Sequence, residues 1–407
     1  MQIGFALLEV GSVQSKNAKS ILVKNLLDAS VGTLAWWVFG YGLAYGGGAD
    51  SAVIMGTSEF FTSDYQDPNY LWFVFQWAFA TTAATIVSGS VAERCNPTAY
   101  LIFSLFVTAF FYPIAVHWIW SENAWLFDLG FRDYAGCAPV HMLGGISGLT
   151  GAFILGPRTG RFDLKGNPNP MPAHNLVLST IGALILWFGW YGFNGGSVGR
   201  LTNGGIDIAA KSFVTTTIST AGAGLLVYWI ESYLSGVRDL PPLLNGILAG
   251  LVSITAGADC VDTYAAFIIG VIGAFTYCMG YRYVLRQGID DPLNAFALHG
   301  LCGVWGILAV GIFANGDNGG TTGLLYGNPM QFVWQLLGAI VVSVWSAVTS
   351  YICFQGIDYC VGLRVFLSEE KVSRIESRSM SCSILFLTSS PFAARNGRNP
   401  SRRLRLP

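Results

Sequence analysis

Ala138-Pro-Val-His141-Met-Leu-Gly-Gly-Ile-Ser-Gly148-Leu-Thr-Gly-Ala-Phe-Ile-Leu-Gly156 runs without a single Asp, Glu, Lys or Arg. A bilayer core of about 30 Å is crossed by about 20 apolar residues wound as a helix, and this stretch has that length and composition. Comparable runs lie on both sides of it, at 25–45, 70–91, 97–118, 175–196, 208–229, 242–257, 263–283, 294–313 and 330–356. They make ten full spans. An eleventh run, Met1 to Gly11, is too short to cross. The whole chain agrees with these windows: 53% of its 407 residues are hydrophobic and 11% charged, with a mean hydropathy of +0.51. A soluble domain carries about 25% charged residues. Fifty Gly and thirteen Trp suit helices that approach closely and aromatic rings that sit at membrane interfaces. A net charge of -1 gives no reason to expect nucleic acid as a partner. Eight Cys without a CxxC pair argue against a disulfide framework and against a zinc site. No cleavable signal peptide is evident, because no basic residue precedes the first apolar run.

Basic residues set the orientation. With the Lys16/Lys19 loop placed in the cytoplasm, alternation puts every Lys and Arg inside except Arg132, Arg200 and Lys211. The positive-inside rule therefore predicts a cytoplasmic C-terminus.

The stretch that decides the fold has an echo. His141-Met-Leu-Gly-Gly-Ile-Ser-Gly148 matches His299-Gly-Leu-Cys-Gly-Val-Trp-Gly306 in its His and in Gly at +4 and +7. Gly11-Ser-Val13 likewise matches Gly196-Ser-Val198. The two echoes pair the first run with the sixth and the fifth with the tenth, so each repeat holds five helices. An odd number forces opposite orientations, which gives an inverted repeat of the kind many transporters use. Short Gly-rich matches also arise by chance in membrane helices, so the echo alone does not decide the matter.

Two of the four His, His141 and His299, lie within apolar spans at matching places of the two repeats. An ionisable residue at that depth is costly, and an inverted repeat brings equivalent residues together near the midplane. Two neutral imidazoles would offer donors and acceptors to a small polar solute such as ammonia or water. No HExxH, GxSxG or phosphate-binding glycine loop is present, so an enzyme is not expected. Glu93-Arg94 reads as a local ion pair in an inner turn, and Asp290-Asp291 as helix capping. Asp133, on the outer side before the fifth span, can cap backbone donors and can add negative potential at an outer mouth. Aromatics gather around these points: Phe75, Phe79, Trp118, Trp120, Trp190 and Phe193. An aromatic face attracts a compact cation by about 0.5–2 kcal/mol, and Ser197 can add a hydroxyl acceptor. From Gly362 the chain becomes Ser-rich and holds nine basic residues, and 366–407 reads as a disordered cytoplasmic tail. Truncation after Val365 is therefore expected to leave function unchanged.

These segments resemble the ammonium transporter family (Amt/Mep/Rh), Amt branch. The resemblance rests on Phe75-Gln-Trp-Ala-Phe79, Val91-Ala-Glu-Arg94, Pro113 to Trp120, Asp133-Tyr-Ala-Gly136 with His141, Phe188-Gly-Trp-Tyr-Gly-Phe-Asn-Gly-Gly-Ser197, and Asp290-Asp-Pro-Leu-Asn-Ala-Phe-Ala-Leu-His299. It runs from Met1 to about Val365. It implies an all-α polytopic fold of eleven helices with inverted five-helix repeats at about 1–156 and 175–313 and a final helix at about 330–356. It also implies that the N-terminal half of the first helix is missing here. Trp120, Ser197 and Phe79 then resemble an outer ammonium-binding vestibule, with Asp133 as its structural and electrostatic acid. Phe79 and Phe193 resemble a stacked gate, His141 and His299 a twin-histidine pore, and Phe75, Trp190 and Thr255 positions along the path. A homotrimer in the plasma membrane is implied, with a possible cytoplasmic regulator and no cofactor. After Gly362-Leu-Arg-Val365 the family's tail pattern is not matched, and Cys137-Ala-Pro139 departs from its usual small or branched residues. The alternatives are a Rhesus-type channel for ammonia or carbon dioxide, which usually lacks the vestibule Trp and Ser, and an ammonium sensor, which needs an output segment after residue 365.

Overall fold

A computed structural model describes residues 1–63, 69–317 and 320–371. Eleven helical segments account for most of them: α1 (Gln2–Ser12), α2 (18–45), α3 (Tyr70–Val91), α4 (97–120), α5 (Cys137–Leu155), α6 (Leu176–Gly195), α7 (Gly205–Ser235), α8 (Leu240–Gly257), α9 (Thr263–Arg286), α10 (Phe296–Phe313) and α11 (Pro329–Val361). A further short helix, α12 (Leu367–Lys371), follows. Among the described residues, nine helices are long and apolar enough to cross a membrane. The helix 18–45 crosses the same thickness but carries Lys19, Lys24 and Asp28. Local chemistry starts several helices. The side chains of Asn69, Asn96, Asn175 and Asp239 accept backbone N–H groups at the heads of α3, α4, α6 and α8, and Pro97 and Pro329 stand in first turns, where a missing N–H costs nothing.

Lipid supplies no hydrophobic drive between helices, so close backbone approach has to hold them. Glycine permits it at the two crossings that the repeat equates. A Cβ on Gly145 of α5 would lie 2.2 Å from the Gly300 nitrogen of α10, and one on Gly182 of α6 would lie 2.3 Å from the Leu8 nitrogen of α1. Five segments contain a π-helical turn, at Trp36–Gly40, Val107–Phe111, Cys137–Met142, Tyr191–Gly195 and Phe296–Leu301. The wider turn re-aims side chains and is common at functional sites. His141, Phe193 and His299 all sit in such turns.

At the pole where Lys16 lies, three loops converge on a buried ion-pair network. Arg158 meets Asp290 at 2.8 Å and also pairs with Glu93, while Arg161 reaches Asp290 at 3.3 Å. Glu93 thus pairs across loops and not with Arg94. Arg94 instead donates to the carbonyls of Ser90, Gly156 and Asp290. Of the two acids before α10, only Asp291 accepts a backbone N–H of the helix, that of Phe296 at 2.8 Å. Burial opposes ionisation of Asp290, but the hydrogen bonds and charge of Arg158 prevail and hold its carboxyl below the usual range. The stabilisation is therefore present above the ordinary Asp pKa of about 4 and fades as pH falls through the lower folded value. Asp290→Ala, which leaves the buried Arg158 with Glu93 as its remaining counter-ion and strips its Nε and Nη2 bonds, should cost about 1–3 kcal/mol. Thermal unfolding of the purified variant measures it.

The tail differs from expectation at its beginning. α12 is a helical turn, and buried Glu370 accepts the Thr159 N–H at 2.5 Å and pairs with Arg364 at 2.9 Å. One local partner, Arg364, and one from a distant loop, Thr159, supply the order that the composition of the tail does not. A cut after Val365, which removes Glu370, should therefore lower the melting temperature of the purified protein. Residues 372–407 lie outside the described residues.

Candidate functional site

The candidate site residues come from both halves of the chain. Beginning at the outer end, the Asp133 carboxylate accepts backbone N–H groups of Gly136 at 2.8 Å, Cys137 at 3.0 Å and Ala138 at 2.7 Å. It closes the first turn of α5, where donors would otherwise lack partners. Burial raises its carboxyl to about 6, against the pull of those amides. Trp120, at the end of α4, donates its indole N–H to the Asp133 carbonyl at 2.7 Å. Its ring edge lies over Gly136, whose φ is +101° and whose Cβ, were it present, would stand 3.0 Å from the indole. Glycine satisfies both demands at this position.

Below Trp120, Phe79 of α3 meets it edge to face at 6.0 Å and stacks on Phe193 of α6 at 3.9 Å and 13°. Phe75 lies one turn outward, 4.7 Å from Phe79 and stacked on Trp72. The Ser197 hydroxyl donates to the Phe193 carbonyl at 2.7 Å, which leaves its lone pairs as acceptors.

Beneath the phenyl pair, His141 and His299 approach with their Nδ1 atoms 3.1 Å apart and their ring centroids 5.2 Å apart. One Nδ1 must donate and the other accept, so a neutral pair holds two different tautomers. Trp190 lies parallel to His141 at 5.2 Å, and its indole N–H donates to the Thr255 hydroxyl at 2.9 Å. Thr255 thus orients Trp190, which in turn flanks His141. His141 Nε2 is buried and has no partner among the described residues. Of the groups named together from sequence, Phe79 and Phe193, His141 and His299, and Trp190 and Thr255 are close in space; of the vestibule trio, Trp120 meets Phe79, and Ser197 is joined to it through the Phe193 carbonyl. Phe5 of α1 also belongs, 6.1 Å from His299. Nothing in the sequence pattern distinguished it from other apolar residues of the first run. Beyond Phe5, a cavity of about 240 Å³, lined by Leu8, Ser12, Leu244, Asn245, Leu293 and Asn294 among others, opens toward the Lys16 pole.

Helices long enough to span, an inverted five-helix repeat and a buried file of aromatic and imidazole side chains define an α-helical membrane transporter. The sequence pattern of the Ammonium Transporter Family matches residues 1–376. The chain is 40% identical over 378 residues to Ammonium transporter 1 member 3 of Solanum lycopersicum, covering 86% of this chain and 81% of that protein. It is 40% identical over 390 residues to Ammonium transporter Amt2 of Archaeoglobus fulgidus, covering 91% and 82%. Among solved structures it is similar to a Sensor Amt Protein, with a TM-score of 0.85 and 34% identity over 93% of this chain and 94% of that one. It is also similar to Saccharomyces cerevisiae Mep2, with a TM-score of 0.79 and 27% identity over 90% and 84%. The chain belongs to the ammonium transporter family and is not an enzyme.

Proposed function

We propose that the chain moves ammonium nitrogen across a plasma membrane as follows. Ammonium is recruited at the outer mouth by the Trp120 face and the Ser197 hydroxyl, with the Asp133 carboxylate adding negative potential. An ion in hydrocarbon costs several kcal/mol, so the ammonium ion gives up its proton to water on the outer side of the Phe79/Phe193 stack. Ammonia passes His141 and His299, whose ring nitrogens replace water, and regains a proton inside. The observation that carries this reading is the His141–His299 pair at 3.1 Å, beneath a stacked phenyl gate and within a buried apolar path. His141 Nε2 supplies a free hydrogen-bonding atom there.

In this reading the subunits assemble as a homotrimer, each with its own path, and the C-terminus is cytoplasmic, where a regulator can dock. The likeness to a Sensor Amt Protein favours, as a second reading, an ammonium sensor built on the same path. Uptake of methylammonium by a transport-deficient cell expressing this chain separates the two. Saturable uptake supports transport. Binding without uptake, at full surface expression, would favour the sensor.

A further inference from the structure

Three charged side chains lie buried off the pore, where α1, α2, α3 and α4 meet. Glu9 of α1 is 1% exposed, Lys24 of α2 7% and Asp28 of α2 2%. Asp28 lies ten residues into α2, about 15 Å along it from Ala18 and inside the apolar window 25–45. The pairing is uneven. Lys24 lies 3.6 Å from Glu9, which also accepts from Ser88 at 2.7 Å and Asn25 at 3.2 Å. Among the described residues Asp28 is bonded by hydroxyls, Thr85 of α3 at 2.7 Å and Ser104 of α4, with the Tyr100 hydroxyl also in reach, and it touches no cation directly. The Tyr100 ring of α4 lies 4.8 Å from the Lys24 ammonium, and its hydroxyl donates to the Ala84 carbonyl at 3.2 Å. Gln2 of α1 and Thr81 of α3 complete the surroundings of Thr85. Cys95 is the remaining titratable group within electrostatic reach of Lys24.

Two carboxylates and one ammonium would leave one uncompensated negative charge in a buried site between helices. Such a charge costs several kcal/mol, and a carboxyl in that setting binds a proton instead. Glu9 has the cation, so the proton falls to Asp28. Thr85 can serve either state: its hydroxyl has one proton and faces three acceptors, so it can donate to the carboxylate or accept from the acid. Lys24 stands one helical turn from Asp28, at i and i+4, where opposite charges meet.

We propose that Asp28 is an intramembrane proton-binding site and that its proton decides which acid Lys24 pairs with. Protonated, Asp28 leaves Lys24 to Glu9, and α1 is held against α2 and α3. Deprotonated, Asp28 draws Lys24 away and α1 loses its ion pair. Helix α1 carries Phe5 against His299 and Leu8 on the wall of the inner cavity. Release of α1 therefore loosens the inner half of the pore. This link to transport rests on the pore reading above; the proton site itself does not.

Infrared spectra of the purified full chain test the site. The wild type should show the carbonyl stretch of a protonated carboxyl at neutral pH, and D28N should lack it. Identical spectra would overturn the proposal. Should D28N fail to fold, the double variant E9Q/K24M decides: the band must persist there, and its loss would assign the proton to Glu9 against the proposal. The link is read from initial ammonium uptake into proteoliposomes at constant ammonium concentration. As pH rises, the D28N to wild-type ratio should increase by at least about threefold, because the Asn keeps α1 held. A ratio independent of pH would refute the coupling while leaving the pore reading intact.

Discussion

Replacing His141 by Ala should lower ammonium uptake by about tenfold or more while the protein still reaches the membrane. The pair shares one hydrogen bond, at 3.1 Å, in a fully buried site. Removing one ring leaves the other Nδ1 without its partner, a penalty of about 1–3 kcal/mol. It also removes the Nε2 atom offered to the passing solute. About 1.4 kcal/mol is a factor of ten in rate, so the loss in conduction follows even if folding absorbs part of the change. His299→Ala should behave alike. Uptake scaled to surface expression is the measurement, and wild-type rates in either variant would remove the imidazoles from the path.

Trp120→Leu should reduce the preference for ammonium over neutral solutes by about thirtyfold. A cation over a desolvated indole gains about 2 kcal/mol, and a Leu side chain offers no comparable face. The substitution also releases the indole N–H bond to the Asp133 carbonyl. A second variant, Trp120→Phe, keeps an aromatic face without that bond and should retain part of the selectivity. Competition between ammonium and a neutral solute of similar size measures it; unchanged selectivity in the Leu variant would count against a cation–π site.

The spans were legible because about 20 apolar residues are needed to cross and few other folds tolerate such runs. The expected window at 25–45 and the observed helix 18–45 differ only at the charged inner end, where lysines continue the helix beyond the hydrocarbon. His141 and His299 stood out because ionisable groups are rare at that depth. Their π-helical turns were not legible, since nothing in local composition marks the extra residue. The Arg158–Asp290–Glu93 network was missed for another reason. Its members belong to three separate loops, and adjacency in sequence suggested a Glu93–Arg94 pair instead. Glu9, Lys24 and Asp28 lie at or near the ends of predicted runs, and nothing in the sequence pattern joins them; the packing of α1 beside α2 does. The tail composition is that of a disordered segment, yet Glu370 docks on Arg364 and on the Thr159 backbone of a loop 211 residues away, a tertiary contact that local composition does not show.

The most direct test of the pore is uptake of isotopically labelled ammonium into proteoliposomes containing the wild-type chain or the double variant H141A/H299A. The wild type should show saturable uptake above protein-free vesicles, and the double variant should fall to within a small multiple of that background. Saturable uptake at the wild-type rate in the double variant would contradict a path through the paired imidazoles.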